Sequence, residues 1–194
     1  ALVGVSLVAQ LLMVWSLAPR ITLWGDSWMI DGFVNTAVEG GVASLFRGPW
    51  HTIYYDARLY FSCYPFQAAF FWLQLWLRQV FGDHALSALM VLNALANELA
   101  LVSVLAIGRA LDVRGGARRV LWLLVAAFMP LYWLAAFLYN NALGMGPAFA
   151  FLALQAHAMR ARPGARRLAL VAASVVPLSL ALCLKSTFVL FAIG

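Results

Sequence analysis

Long apolar segments recur along this chain and restrict it to folds whose helices are surrounded by other apolar groups. A helix needs about 20 mostly apolar residues to cross the hydrocarbon core of a membrane. Segments that meet or approach this length are 1–18, 85–108, 120–138, 142–159 and 168–184, and a truncated one covers 187–194. Only 10% of the residues are charged, whereas a soluble domain carries about 25%. The sequence therefore predicts an all-α, polytopic helical bundle, a single transmembrane domain over 1–194 that is the N-terminal part of a longer chain.

The arginines indicate which loops face the cytoplasm. Eight of the thirteen basic residues lie in two short segments beside apolar spans, Arg109, Arg114, Arg118 and Arg119 in one and Arg160, Arg162, Arg166 and Arg167 in the other. The aromatic-rich segment 65–81 is at the lower length limit for a span. If it crosses, both basic loops lie outside; if it rests in the interface, both lie inside, as the positive-inside rule favours. We therefore expect a multi-pass protein of the inner or plasma membrane, with a cytoplasmic N-terminus and an outer loop 19–84 that contains interfacial helices.

The same charge distribution argues against nucleic-acid binding. The net charge is +6, but the basic residues flank apolar spans instead of forming a basic stripe with interleaved aromatic residues. Cys63 and Cys183 are far apart in sequence and match neither a disulfide framework nor a zinc motif. We expect no nucleic-acid partner, and we interpret both cysteines as small apolar residues.

The outer loop concentrates the ionisable groups. Its part 19–64 holds four of the seven acidic residues and several basic ones: Asp26, Asp31, Glu39, Asp56, Arg20, Arg47, His51 and Arg58. Apolar residues at near-helical spacing over 27–46 predict an amphipathic helix on the membrane surface, broken at Gly40-Gly41. Asp26 precedes this helix just above the bilayer, a position that suits a general base acting on a substrate delivered from the lipid phase. A merely solvated loop would also need such charges, and that interpretation stays open.

Polar residues inside the predicted spans are few. Glu98 lies midway along 85–108, with Asn93 and Asn97 on a neighbouring face of the same helix. A buried charge in a membrane is costly and needs a partner. We expect Glu98 to hold helices together through hydrogen bonds, and a proton or substrate path is the functional alternative. The run Gly144-Met145-Gly146-Pro147 predicts a close helix approach or a break in the fourth of these segments, 142–159.

Several short motifs follow one another in an order that resembles a known family. They are an early Asp in the outer loop, a Tyr-rich stretch, Tyr64-Pro65 opening an aromatic helix that ends at Val80-Phe81-Gly82, the segment FLYNNAL over 137–143, and Leu184-Lys185-Ser186-Thr187. Together they resemble the GT-C class of membrane glycosyltransferases. Within that class they are similar to bacterial enzymes that use polyprenyl-phosphate sugars and to dolichyl-phosphate-mannose mannosyltransferases. The resemblance implies a GT-C-like topology with juxtamembrane helices in the first outer loop.

The resemblance also implies an activity and a set of site residues. Such an enzyme moves a sugar from a polyprenyl-phosphate or polyprenyl-pyrophosphate donor to an envelope glycan or protein acceptor outside the cytoplasm. Asp26 is at the position of the catalytic carboxylate of the class. The residues expected to bind the substrate or the lipid phosphate are Arg58, Lys185, Arg20, Tyr64, Asn140 and Asn141.

The chain departs from the pattern of the family in two places. Phe66-Gln67 replaces an Asn-Asn pair, and Asn140-Asn141 stands where an Asp is expected. An amide oxygen carries no charge and is a poor ligand for a hard divalent cation. We therefore expect neither a bound metal nor another cofactor, and the substitution leaves an inactive member of the family open.

Two other classes of function stay open at this point. A multispan transporter or lipid flippase would place its polar residues at mid-membrane on broken helices. A non-catalytic membrane scaffold could keep the same fold without any chemistry. Most of the acidic residues of this chain lie in the outer loop, and only Glu98 and two asparagines lie at mid-membrane depth, so the pattern favours the enzyme.

Overall fold

The computed structural model describes residues 2–17, 23, 25–47 and 56–193, and this part of the chain is helical throughout, with short connections and no strand. Arg20 and His51 lie outside the described residues. The α-helices are α1 Leu2–Leu17, α2 Asp26–Gly40, α3 Ala57–Cys63, α4 Gln67–Phe81, α5 Ala85–Ala110, α6 Gly115–Ala126, α7 Met129–Ala136, α8 Asn140–Arg160, α9 Ala165–Leu184 and α10 Leu190–Ile193. Short 3₁₀ helices cover Val42–Phe46, Gly82–His84 and Ser186–Val189. The prediction of an all-α fold is confirmed for these residues.

Within the described ranges, three segments are long and apolar enough to cross a membrane: Gln67–Ala110, Asn140–Arg160 and Ala165–Leu184. The first joins α4, a 3₁₀ turn and α5, while the apolar part of α1, Val3–Leu17, is shorter than these spans. The single helix predicted over 120–138 is instead two helices, since α6 ends at Ala126 and α7 begins at Met129. Pro130 lies at the start of α7, where it supplies no backbone N–H and clashes with a preceding helical turn, so a continuous helix stops there.

The helices α5, α8 and α9 pack side by side, and α8 lies between the other two. At Gly146 a Cβ atom would come within 2.4 Å of the backbone oxygen of Ala96 on α5. At Gly144 a Cβ atom would meet the ring of Phe188. The glycine run therefore permits a close helix approach, as predicted, and α8 continues through Pro147 without a break.

Contacts along the helices fix their relative directions. Asn93 bonds the carbonyl of Phe137 just before α8, and Ala96 further along α5 meets Gly146 further along α8, so α5 and α8 run the same way. Gln155 bonds Ser174 and Asn140 bonds the carbonyl of Leu184, so α9 runs against α8.

The direction of α1 follows in the same way. Gln10 bonds Glu98 on α5, whereas Trp15 and Val91 share one groove, so α1 runs against α5. The end of α1, the starts of α5 and α8 and the end of α9 thus share one end of the bundle. We call it the site end, and the arginine-rich connections 109–119 and 160–167 lie at the other end.

The amphipathic helix α2 packs on α4 at the site end. Its buried face is apolar, and Asp31 on its flank forms a salt bridge with Arg78 of α4 at 3.2 Å. Gly41 has a φ of 76°, a left-handed conformation that glycine adopts without steric cost, and α2 ends at Gly40. The predicted break at Gly40-Gly41 is confirmed, and the residues after it form the 3₁₀ helix.

Both ends of α4 contact the site end. Gln67 bonds Tyr139, which directly precedes α8, and Leu77 lies beside Ala85 and Leu89 in the first turns of α5. The helix ends at Phe81 because Gly82 takes a φ of 55° and redirects the chain into α5.

The contact at Gly146 gives a test of the bundle. We expect Gly146→Ala to lower the free energy of unfolding by about 1 to 3 kcal/mol, because the added methyl group overpacks against the backbone of Ala96. Thermal unfolding in detergent, followed by tryptophan fluorescence, measures the change. The matched control is Gly4→Ala on α1, where no described atom lies within 4 Å of the added Cβ. Equal stability of the two variants would contradict the close approach.

Candidate functional site

Asp26 is the first residue of α2 and carries the only carboxylate in the first turn of that helix. The preceding Gly25 has a φ of 56°, which turns the incoming chain sharply into the helix. The N-terminal end of a helix has a partial positive charge that stabilises an anion there. The hydroxyl of Ser27 donates a hydrogen bond to the carbonyl of Leu138, which fixes the start of α2 against the segment that precedes α8.

Two side chains from distant parts of the chain hold the Asp26 carboxylate. The hydroxyl of Tyr139 donates to Oδ2 of Asp26 at 2.8 Å, and Nε2 of Gln67 lies 3.4 Å from the same oxygen. Nε2 of Gln67 also donates to the hydroxyl oxygen of Tyr139 at 2.8 Å. Both hydrogen bonds that the described residues make to this carboxylate go to Oδ2. The carboxylate is therefore oriented through one oxygen, and the other is the one available to a substrate.

Asn140 extends this network to α9. Its Nδ2 donates to Oε1 of Gln67 at 3.0 Å and to the backbone carbonyl of Leu184. Both Gln67 and Asn140 are fully buried. Nδ2 of Asn93 donates to the carbonyl of Phe137 at 2.8 Å, which holds the segment before Tyr139. Asn140 thus has a positioning role, since its described bonds go to other protein groups.

Lys185 places a cation beside the same tyrosine. Its Nζ lies 4.9 Å from the centre of the Tyr139 ring and donates to Oδ1 of Asn141. Burial lowers the pKa of Lys185, and the negative charge of Asp26 opposes part of that effect. Burial, then the hydrogen bond to Asp26 and the charge of Asp26, raise the pKa of Tyr139 to about 12. The phenol therefore remains a neutral donor between a carboxylate and an ammonium group.

Tyr60 of α3 is a further member of the site. Its side chain is fully buried, with its ring 5.2 Å from that of Tyr64 and 5.5 Å from that of Phe33. Burial and the nearby negative charge of Asp26 hold the pKa of Tyr60 far above its usual range. Its buried hydroxyl has no hydrogen-bond partner in the described part of the chain. A substrate oxygen near Asp26 would give this hydroxyl a partner.

The structure brings together most of the residues expected from the sequence. Asp26, Asn140, Asn141 and Lys185 belong to one connected set, and exposed Tyr64 joins it through the ring of Tyr60.

Arg58 has a different environment. Its guanidinium donates to the carbonyl of Phe46 and lines a separate groove of about 380 Å³ with Val42, Phe61 and Trp72. Arg20, the remaining predicted phosphate ligand, lies outside the described residues.

The sequence interpretation missed the side chains that connect this set. Gln67 was noted only as a departure from a family pattern, and Tyr139 only as part of a motif. Tyr60 lay within a Tyr-rich stretch without a role of its own. A polar residue at the start of an otherwise aromatic helix, as Gln67 is in α4, is the signal that could have indicated it.

An apolar groove of about 680 Å³ lies between α1, α4 and α5. Leu11, Trp15, Trp76, Phe81 and Val91 are among its lining residues. Gln67 and Trp76 are nine residues apart on α4, which places the groove about 14 Å along that helix from the polar site. This groove is therefore separate from the candidate site.

The described residues include no group of three or more His, Cys, Asp or Glu side chains that could hold a metal ion. The fold and the site together define a helical protein with three segments able to cross a membrane and a carboxylate–phenol–ammonium set at one end of its bundle. The chain matches no protein-family model, no curated protein and no solved structure.

The central role of Gln67 can be tested by stability. We expect Gln67→Leu to lower the free energy of unfolding by about 2 to 3 kcal/mol, because it leaves buried Asn140 and the Asp26–Tyr139 pair without a shared partner. Gln79→Leu, on the exposed face of the same helix, should change it by less than about 0.5 kcal/mol. Chemical unfolding in detergent compares the two. A neutral Gln67→Leu variant would show that the network does not hold the site.

Proposed function

We propose that this protein is a membrane glycosyltransferase of the GT-C class, which transfers a sugar from a polyprenyl-phosphate donor to an acceptor hydroxyl on the extracytoplasmic side. The single observation that carries the proposal is the meeting of Asp26, Tyr139 and Lys185 at one end of an apolar bundle. Transfer from a sugar phosphate requires a carboxylate and a cation, and here one contacts the hydroxyl and the other the ring of the same phenol. The class itself is proposed from the resemblance of the motifs.

Asp26 acts as the general base in this proposal. Its free Oδ1 accepts the proton of the acceptor hydroxyl as that oxygen attacks the anomeric carbon. The bond between the anomeric carbon and the phosphate oxygen breaks, and its electron pair leaves with the polyprenyl phosphate. Tyr139 and Gln67 keep Oδ2 occupied, so the carboxylate cannot rotate away from the acceptor.

Lys185 stabilises the leaving phosphate. The ammonium group lies at the end of α9, close to the headgroup level that a span of this length would reach. Its hydrogen bond to Asn141 and its position over the Tyr139 ring orient it without neutralising it, because neither partner carries a charge. It can therefore offer its full charge to a phosphate.

The directions of the helices support an extracytoplasmic site. The arginine-rich connections lie at the end of the bundle opposite Asp26, and the positive-inside rule assigns that end to the cytoplasm. Both ends of α4 contact the site end, which favours an interfacial helix there over a crossing one. Amphipathic α2 then lies in the same interface.

The apolar groove between α1, α4 and α5 supplies a place for the lipid chain of the donor. Its lining is almost entirely apolar, and Trp15 and Trp76 belong to the residue type that is enriched at membrane interfaces. A polyprenyl chain with its phosphate at Lys185 is long enough to lie along α4 and enter this groove. Since one carboxylate and two amides are poor ligands for a divalent ion, the proposed reaction uses no metal.

The role of Asp26 predicts a specific lipid phenotype. Asp26→Asn should reduce turnover at least about 100-fold, because an amide accepts no proton from the acceptor. Mass spectrometry of lipids that copurify with the full-length protein should then show the sugar-loaded polyprenyl phosphate accumulating over the free lipid phosphate. Glu39→Gln, an exposed acid at the other end of α2, is the matched control and should leave the ratio unchanged. A ratio unchanged in Asp26→Asn would remove Asp26 from catalysis.

The role of Lys185 predicts a pH dependence. Because burial lowers the pKa of Lys185, the ammonium loses its proton at a lower pH than an exposed lysine does. The amount of copurified polyprenyl-phosphate lipid should therefore fall between neutral and strongly alkaline pH. Lys185→Arg, which stays charged, should abolish that fall, and Lys185→Gln should bind about 10-fold less lipid at neutral pH and show no fall of its own. Undiminished lipid in Lys185→Gln would exclude Lys185 as the phosphate ligand.

A further inference from the structure

A second polar cluster lies midway along the bundle, away from the site end. Nε2 of Gln10 on α1 donates to Oε1 of Glu98 on α5 at 2.7 Å and to the hydroxyl of Ser6 at 3.3 Å. Nδ2 of Asn97 donates to Oε1 of Gln10 at 2.9 Å. We call Ser6, Gln10, Asn97 and Glu98 the mid-bundle cluster. The sequence prediction that Glu98 joins helices is confirmed, with Gln10 of α1 as its partner.

The four residues of the cluster are buried, and its one acid, Glu98, has no basic partner in the described part of the chain. Gln10 and Asn97 have no exposed surface, and Ser6 and Glu98 are 3% and 6% exposed. Oε2 of Glu98 is buried and has no hydrogen-bond partner in the described part of the chain. None of the described salt bridges includes Glu98. A carboxylate at this depth, with one oxygen unsatisfied, needs a positive ligand.

The groups around Glu98 are those that a small hard cation binds. Hard cations take oxygen ligands, and the cluster offers the carboxylate, a serine hydroxyl and amide carbonyl groups on two facing helices. A single negative charge balances one positive charge, so a divalent ion would leave a net charge within the apolar bundle. A proton on Oε2 is the competing way to neutralise Glu98, and the experiments below distinguish it from a bound cation.

We propose that the mid-bundle cluster is a binding site for a sodium ion. The ion binds Oε2 of Glu98 and draws its remaining ligands from oxygens of Ser6, Gln10 and Asn97. Since these residues belong to α1 and α5, the bound ion fixes the two helices relative to each other. This site does not depend on glycosyl transfer, because it shares no residue with the set around Asp26.

Sodium-dependent unfolding tests the site directly. The full-length protein in detergent at pH 8 should show a Tm that rises saturably, by about 5 °C, as sodium replaces N-methylglucamine at constant ionic strength. Glu98→Gln should remove the rise, and Glu39→Gln, an exposed acid outside the cluster, should retain it. Ser6→Ala keeps the charge of the cluster, so it tests the site even if Glu98→Gln does not fold, and it should shift the midpoint about 10-fold toward higher sodium.

Two results would overturn the proposal. One is a wild-type Tm that does not respond to sodium. The other is an infrared carbonyl band of a protonated carboxyl group at pH 8 in the presence of sodium that is absent from Glu98→Gln, because it would show that a proton occupies the place assigned to the ion. Either result leaves the glycosyltransferase proposal untouched, since that proposal is tested through Asp26 and Lys185.

Discussion

The hydrogen bond from the Tyr139 hydroxyl to the Asp26 carboxylate joins the start of α2 to the segment before α8, beside the bond from Ser27 to the carbonyl of Leu138. In an apolar bundle, buried polar groups must find partners, and few are available. Gln67 bonds both members of this pair and Asn140 as well, so α2, α4 and α8 meet at one point. Lys185 is then placed by the end of α9, which Asn140 contacts. The candidate site is thus the consequence of how Asp26, Gln67, Tyr139 and Asn140 satisfy one another's hydrogen bonds.

The sequence predicted the helices better than the side-chain contacts between them. Apolar length and the glycine run anticipated α5, α8, α9 and the close approach at Gly146, because these features depend on local composition. The division into α6 and α7 falls next to Pro130, and the apolar pattern over 120–138 does not show it because hydropathy does not respond to one missing backbone N–H. Asp26 and Lys185 were found through motifs. Gln67 and Tyr60 were missed, because burial in a tertiary contact leaves no periodic signal in the chain.

The two polar sets differ in their charged groups and in their depth within the helical bundle. The set around Asp26 contains a cation of its own and an oriented carboxylate, and it borders the surface. The mid-bundle cluster contains an acid without a basic partner and lies deep between α1 and α5. Both are connected through α5, whose Asn93 holds the segment before Tyr139 and whose Asn97 bonds Gln10. One helix face therefore supports the geometry of both sets.

The long sequence separation between Asp26 and Tyr139 also bears on how the protein is made. Their side chains meet across 113 positions, and Lys185 is synthesised later still. As the chain leaves the ribosome, α2 and its carboxylate Asp26 emerge well before the phenol that orients that carboxylate has been translated. Assembly of the carboxylate, the phenol and the ammonium group is accordingly a late event in biogenesis, so a nascent chain stalled before the eighth helix would carry an incomplete centre.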